Sequence, residues 1–594
     1  MIPNLLVRKF IISLIFLSIC NIASSENVTA DKTISSDSTT QQVFTADDIT
    51  LTISSNATLS RSQKPIVANN RSGVTVTINE GSEVFTTSGD NAIVGQSSTN
   101  LTVNNSGKIY SSGAKAVSFR QGSGATLSNN SGATIYAATN TVSGNHNDTE
   151  NATITNSGTI YSTGASTNTF IFGVGSTGNS IINNAGGEIY TEGTGTTIKL
   201  GASSTLTNSG TIKTSSVSSN AINAAGSNNT IKLKDDGKVI GIISSASGTT
   251  GNKLQMQHGF GQGYFYETSG DFTLEDLDGN QVVKGSAGSV GQGGNETLDE
   301  LLGYKSLNIR KSFNRYKKTK SFLEEENSWG EVYVSELERK ENTNNSAIGY
   351  DHRTFGINLI NPLENSHFMI SLEHNRQDFS QDHSITRYGF LTGLYFPQSA
   401  VLGNFETENF VSTGITLSKS DRTILTNTTT SGTLNVTDSY ETYEFILGKK
   451  FKYFDNYNNI NLVPNFGINV GYSFTPQHSE SKYFSWSKKH VANLGASLSD
   501  EYHIQISENT DLSFGWIGDF RRLLTDQKQK YEINGTKATY TPGNELKTEI
   551  TFVGNIGLKN NFSKNGAISF DIEGSSSTQD TSNVKGYLSM IFKF

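Results

Sequence analysis

Apolar and polar positions along this 594-residue chain follow two different rhythms. In the last third they alternate strictly. Phe466, Ile468, Val470, Tyr472 and Phe474 share one face, with Gly467, Asn469, Gly471 and Ser473 on the other. Ile550, Phe552, Ile556 and Leu558 oppose Thr551, Asn555 and Lys559, with Val553 the exception. Ile568, Phe570 and Ile572 alternate with Ser569, Asp571 and Glu573. Such alternation predicts strands with one wet face. Many of these segments are about 10 residues long, the length of a tilted strand that crosses a bilayer. Aromatic residues sit near segment ends, at Tyr388, Phe396, Tyr472 and Phe474, where a barrel carries its interfacial girdles. From Trp329 onward there are about twelve to thirteen such segments, within the range of single-chain bacterial barrels. Only Glu480–Asn509 resists division. The terminal segment Gly586–Phe594 places Leu588, Met590, Phe592 and Phe594 on one face.

Upstream the rhythm is longer. A phrase made of Asn, a small residue, Gly and then Ile or Val recurs. It reads NNSGKIY at 104–110, NNSGATIY at 129–136, TNSGTIY at 155–161, NNAGGEIY at 183–190 and TNSGTIK at 207–213. NEGSEVF at 79–85 and KDDGKVI at 234–240 are weaker copies. Its glycines fall at 81, 107, 132, 158, 186, 210 and 237, so the intervals are 26, 25, 26, 28, 24 and 27 residues. A fixed period of this size marks a solenoid, whereas a propeller blade needs about 40–45 residues. Three short strands per repeat predict one coil of a right-handed parallel β-helix. At about 4.8 Å per coil, roughly eight coils form a rod on the order of 40 Å long. In this picture the glycine makes the turn. The Ile or Val after it points inward, and the Asn bonds its own turn and ladders along the stack. Tyr110, Tyr136, Tyr161 and Tyr190 then point outward in a column. That column either stabilises the coils or offers a ladder on which a flat ligand such as a sugar could stack.

The remaining composition narrows the class. Lys plus Arg number 46 against 54 Asp plus Glu, a net charge of -8, a balance that gives no hint of the basic footprint a nucleic-acid binder shows. Positions 151–187 carry no charged residue, as suits a stack in which like charges would repeat every coil. The calcium-binding G-G-x-G-x-D repeat is missing from the phrase. The single cysteine, Cys20, lies in an N-terminal segment, which leaves no disulfide framework. That segment has Arg8 and Lys9, then the apolar run 10–22, then Ala23, Ser24 and Ser25. It reads as a signal peptide over residues 1–25, cleaved at 23–25. Its apolar core falls short of the ~20 residues of a spanning helix. No later stretch is long and apolar enough either, so insertion requires a closed barrel.

Between the two regimes lies one predicted helix. Asn295 caps it, Glu296, Asp299 and Glu300 crowd its first turn, and Lys311, Arg315, Lys317 and Lys318 crowd its end. This charge order matches the helix dipole. Leu298, Leu301 and Leu302 give it an apolar patch, and residues 285–294, with five glycines, form a hinge before it.

A signal peptide, a β-helical repeat region and a 266-residue barrel (329 to 594) ending in Phe resemble the type V autotransporters. The terminal GYLSMIFKF is similar to their outer-membrane assembly signal. Phe592 and Phe594 match its pattern, while Ser589 and Tyr587 stand where Gly and a polar residue are usual. The resemblance implies an all-β fold of β-helical passenger (26–284), linker and pore helix (285–328) and twelve-stranded translocator (329–594). It implies a monomer in the outer-membrane bilayer, inserted by the barrel assembly machinery through Leu588, Met590, Phe592 and Phe594, with its passenger on the cell surface. A trimeric autotransporter would have a much shorter anchor. In some relatives an Asn of the pore helix cuts the passenger free; Asn308 and Asn314 lie there, and nothing in the sequence marks either as reactive. Residues 253–283, with Phe260, Tyr264, Phe265, Tyr266 and Phe272, read as an end cap of the β-helix.

Catalytic signatures do not emerge. There is no G-x-S-x-G elbow between strand and helix and no His-Glu-x-x-His. Gly259–Gly263 lacks the helix and acidic partner of a nucleotide loop. Only His146 and His258 of the nine histidines precede residue 285. Neither a catalytic site, a cofactor nor a metal is expected. The passenger is expected to be an adhesin for an unknown host or surface ligand, the alternative being a secreted enzyme or toxin-like factor.

Overall fold

The computed structural model describes residues 24–144, 148–283, 287–289, 297–320, 327–342, 348–403, 405–453, 464–480, 483–526, 528–540, 547–563 and 566–592. The expected signal peptide up to residue 23, Asn295, Glu296, His146 and Phe594 lie outside these residues, as does most of the glycine-rich hinge. The chain divides into two compact units. One contains residues up to His258, with Phe265–Leu277 and Leu425–Leu434. The other contains Gly259–Tyr264, Asp278–Ile424 and Asn435–Phe594.

The first unit is a parallel β-solenoid of three sheets, with eleven, eleven and eight strands. Most of its strands are four residues long and alternate half-buried with buried positions, starting from Ser25–Val28. In the third sheet the Ile or Val that follows each phrase glycine by two or three positions stacks in register: Val84, Ile109, Ile135, Ile160, Ile189, Ile212 and Val239. All of these side chains are fully buried. Burying each stabilises the coil by about 1.5–3 kcal/mol relative to exposure. The solenoid is longer than the roughly eight coils the repeat predicts. Coils before residue 79 lack the Asn-Gly phrase yet keep the inward alternation, with Leu51 and Ile53 buried and registered on Val76 and Ile78.

The phrase glycines serve two different turns. Where four residues separate the strands, as at 130–133 and 184–187, the glycine is left-handed, with φ +80° at Gly132 and +79° at Gly186. Where only two separate them, as at 106–107 and 157–158, φ is ordinary. Close approach then excludes a side chain: a Cβ on Gly107 would lie 2.3 Å from the Ser82 carbonyl oxygen of the preceding coil. The expectation that every phrase glycine is needed for its dihedral freedom is thus corrected.

The segment expected to cap the solenoid is divided between the units. Lys253–Gln257 and Thr273–Asp276 continue the second sheet in parallel register. Phe260 instead belongs to the second unit, in a cluster with Leu337, Ile348, Tyr350, Phe379 and Ile385.

The second unit is a closed antiparallel barrel. Its strands are β1 (Ser328–Arg339), β2 (Tyr350–Leu363), β3 (Ser366–Phe379), β4 (His383–Leu402), β5 (Phe405–Thr426) and β6 (Thr433–Tyr453). They continue as β7 (Asn465–Thr475), β8 (Lys489–Ser507), β9 (Thr510–Leu523), β10 (Thr548–Ser563), β11 (Gly566–Ser577) and β12 (Thr581–Phe592). Each pairs with its neighbour, and β12 closes on β1 with Trp329 opposite Ile591. The apolar faces read from the sequence point outward: Phe466, Ile468, Ile550, Phe552, Phe570 and Ile572 are all exposed. An outward apolar face and an inward polar one is the pattern of a barrel in lipid. Among the described residues no helix is long and apolar enough to cross a membrane.

At one end the strands are joined by short turns such as 364–365 and 508–509. At the other, longer connections form a second small sheet from His478–Ser479, Phe484–Trp486, Gln529–Ile533 and Thr536–Tyr540. This resolves 480–509: a short hairpin strand precedes β8, and one stretch of sequence holds two unlike elements. In outer-membrane barrels the more elaborate connections lie on the external side, and by that pattern the end bearing the small sheet is the external end.

Candidate functional site

The barrel lumen is occupied by helix α1 (Leu298–Lys320). Leu298, Leu302, Ile309 and Phe313 pack against inward residues including Met369, Leu391 and Ile446. The rest of the helix surface is held by charge. Lys305 Nζ donates to both Glu444 carboxylate oxygens at 2.9 and 2.7 Å and to Thr416 Oγ1 at 2.6 Å. Arg310 pairs with Asp519 at 2.6 Å and Lys311 with Glu573 at 2.6 Å. Arg315 grips Glu331 through two nitrogens, and Lys317 pairs with Glu408. Near the helix N-terminus the polarity reverses. Glu300 accepts from Arg339 at 2.6 Å, and the Asp299 carbonyl oxygen accepts from Arg521 at 2.5 Å.

Five helix cations thus meet five acids on β6, β9, β11, β1 and β5. The wall partners were legible only as members of the polar face of each alternating strand. Which of them meets the helix depends on closure of the barrel. Breaking one buried pair leaves an uncompensated charge and costs about 3–5 kcal/mol, so the helix is fixed in one register in the lumen.

The remaining expected residues fall as follows. Leu301 joins Leu298 and Leu302 as buried. Asn308 Oδ1 accepts from Lys585 Nζ, and Asn314 Oδ1 accepts from Lys450 Nζ at 3.0 Å. Leu588 and Met590 of the terminal strand face outward, Phe592 is the last residue of β12, and Phe594 lies outside the described residues. Tyr587 and Ser589, which depart from the assembly-signal pattern, point into the lumen. The Arg315 guanidinium sits 3.6 Å above the Tyr587 ring, so this tyrosine holds the helix.

On the solenoid, Phe85, Tyr110, Tyr136, Tyr161 and Tyr190 form one continuous stack. Successive ring centroids are 4.4, 4.9, 5.0 and 4.7 Å apart and the planes lie within 13° of parallel. Lys213 takes the next place in register after Tyr190 and lies 4.7 Å from its ring. The faces of the inner rings are therefore covered by one another, and what reaches the surface is ring edges and hydroxyls. Desolvation in the stack, followed by repulsion from nearby acids and tyrosines, pushes the Tyr110 and Tyr161 hydroxyls up to about 12.

Inside the coils runs a second column. Asn105, Asn129, Asn156 and Asn183 each donate Nδ2 to the Oδ1 of the next, ending on Asn208, every bond 2.8 Å long. Asn105 and Asn156 also accept from the N–H of Gly107 and Gly158 at 3.2 Å, so the same side chain both closes its turn and ladders. The ladder stops where Leu233 occupies the register position after Asn208.

No family model matches the sequence, and no curated protein matches it. Among solved structures, the translocator domain of the autotransporter NalP from Neisseria meningitidis is similar at 11% identity and TM-score 0.33, covering 49% of this chain and 98% of its own. The transport unit of the autotransporter AIDA-I from Escherichia coli gives 8% identity and TM-score 0.30, with 48% and 97% covered. The toluene transporter TodX from Pseudomonas putida gives 9% identity and TM-score 0.24, with 46% and 92% covered. Overlaps this loose carry no argument of their own. The strand count, the closure of β12 on β1, the helix inside the lumen and the solenoid before it in the chain carry the reading instead: a parallel β-solenoid followed by a helix-filled, closed twelve-stranded antiparallel barrel.

Proposed function

We propose that this chain exports its own solenoid across the outer membrane and displays it on the cell surface, where the solenoid acts as an adhesin rather than an enzyme. The observation that supports export is the helix held inside a closed barrel immediately after the solenoid in the chain. A segment that ends a translocated passenger is left in the pore in this way. The ion pairs from Lys305 to Lys317 then fasten it there and close the lumen. In this mechanism the barrel is inserted as a monomer by the barrel assembly machinery, which reads the outward residues of β12. The passenger passes through and folds outside, coil upon coil, each new coil adding buried Ile and Asn to the stack. Adhesion is favoured over catalysis because the solenoid surface is repetitive: small polar residues recur from coil to coil and tyrosine edges line the four coils from Tyr110 to Tyr190, a multivalent surface.

The test is protease shaving of intact cells carrying one tag near Ser166 and another in the 364–365 turn. Loss of the first tag with survival of the second is the expected result. Survival of both until the membrane is opened would overturn the export reading. Adhesion is tested separately by binding of displaying and non-displaying cells to host-derived matrices. Equal binding by both would remove the adhesin.

A further inference from the structure

The outer wall of the barrel carries a feature that neither export nor display uses. Between β11, β12, β1, β2 and β3 lies an open groove of about 790 Å³ lined by Val334, Phe355, Phe570, Ile572 and Val584. Among its lining residues, Gly586 stands where an outward side chain would otherwise project. Gly586 is registered between Ile572 and Val334, and a Cβ there would meet nothing closer than Val334 at 3.8 Å. The dent is therefore empty space, with no backbone crowding that would forbid a larger residue.

One registered step toward the external end, the wall changes character. Arg353 on β2 lies directly opposite Arg376 on β3, and both line the same groove. Thr386 follows Arg376 in register, and Lys419 follows Thr386. Like charges directly opposite on adjacent strands are unfavourable. Here they stand side by side in a row that also carries Glu336, between the apolar wall and the external end. Their protein partners are weak, exposed ion pairs: Arg353 with Glu336 at 3.0 Å, Arg376 with Asp378 at 2.8 Å and Lys419 with Asp421 at 3.0 Å. Such pairs contribute little in water. Beyond this row, Glu338, Asp351 and Asp378 are registered side by side on the external side of the groove. A phosphate reaching Arg353 and Arg376 therefore comes from the apolar side, where acyl chains are. The acids also offer a landing for the divalent cations that accompany lipid phosphates.

We propose that this groove is a specific site for a phosphorylated lipid of the outer leaflet. One acyl chain fills the dent at Gly586, and the headgroup phosphate sits between the Arg353 and Arg376 guanidiniums. A planar guanidinium pair is suited to phosphate oxygens. The inference rests on the barrel standing in the outer membrane with its long loops outward.

The experiment uses the purified full-length chain in detergent micelles, titrated in the presence of Mg²⁺ and followed by native mass spectrometry. The probes are a diphosphorylated glucosamine-disaccharide lipid, its dephosphorylated form and phosphatidylethanolamine. One diphosphorylated lipid is retained per barrel, and the two other lipids are retained at least about tenfold more weakly. The double variant Arg353→Gln/Arg376→Gln loses about tenfold in retention of the diphosphorylated lipid. Gly586→Leu, which fills the dent and keeps both cations, loses a similar factor. Arg522→Gln, an exposed cation at the same end of β9, retains the lipid as the parent does. Equal retention of all three lipids, or equal retention by parent, double variant and Gly586→Leu, overturns the site. Each variant is first checked for the mobility shift between unboiled and boiled samples and for flotation with liposomes. A parent chain that neither shifts nor floats refutes the membrane barrel itself, a failure distinct from loss of lipid selectivity in a chain that does both.

Discussion

Replacing Asn156 by Ala removes the middle rung of the buried asparagine column. The side chain is fully buried and makes five bonds. It accepts from Asn129 Nδ2 at 2.8 Å and from the Gly158 N–H at 3.2 Å. It donates to Asn183 Oδ1 at 2.8 Å and to the carbonyl oxygens of Gly158 and Glu188 at 3.1 and 3.2 Å. A neutral buried hydrogen bond contributes about 1 kcal/mol net, and a buried donor left without a partner costs about 1–3 kcal/mol. Losing both ladder bonds and orphaning the Gly158 N–H therefore destabilises the local coils by about 4 kcal/mol. In a solenoid each coil leans on its neighbours alone, so the loss is local. The assay is hydrogen exchange of the full-length chain read at the amides of 153–162. Protection there falls by about a thousandfold, while residues 50–61 keep theirs. Asn208→Ala, at the end of the column, removes one ladder bond and the bond to the Lys238 carbonyl oxygen, and protection falls by about thirtyfold. Asn130→Ala, whose exposed side chain bonds only Ser106 Oγ at 2.8 Å, changes protection by less than about threefold. Equal effects of Asn156→Ala and Asn130→Ala would refute the reasoning, because buried and exposed amides would then be interchangeable.

Four further outcomes follow from the same geometry. Raising the pH weakens the tyrosine stack. Tyr110 and Tyr161 titrate near 12 in the folded chain against an ordinary value of 10, so their contribution is complete below about 10 and disappears as pH rises through about 12. Absorbance at tyrosinate wavelengths shows a late-titrating class that Tyr110→Phe and Tyr161→Phe reduce. Gly107→Ala places a Cβ against the Ser82 carbonyl oxygen and destabilises its coils by more than about 2 kcal/mol, whereas Gly89→Ala, with open space around it, stays within about 0.5 kcal/mol in denaturant unfolding. Arg315→Gln leaves Glu331 buried without its cation and weakens helix retention by about 3–5 kcal/mol. Planar-bilayer recordings then show larger and more frequent openings than the parent. Tyr587→Leu keeps the outward face of β12 and removes the ring under Arg315, so barrel assembly is unchanged in the unboiled gel while conductance rises.

Periodicity alone determined much of this protein. Alternation at 466–474, 550–559 and 568–573 named both the strands and the face that meets lipid, because a strand's side chains point to opposite sides in strict turn. The 24–28-residue spacing of the phrase glycines named the solenoid, because stacked coils demand one inward Ile or Val at each return. The charge order of 298–320 named the helix and its polarity. What the sequence could not determine is which positions meet across the chain. Glu331, Glu408, Glu444, Asp519 and Glu573 look like any other polar position on an alternating strand. They become the helix clamp only once β12 closes on β1 and turns every polar face toward one axis. Tyr587 appeared as a departure from a terminal pattern, and tertiary structure gave it the Arg315 contact. The phrase glycines looked equivalent, and only turn length separated those that need a left-handed φ from those that lie against the preceding coil. The tyrosine column was visible as a column, but the parallel packing of its rings depends on the distance between coils. That distance is set by backbone hydrogen bonds between residues some 26 positions apart, and no local pattern records it.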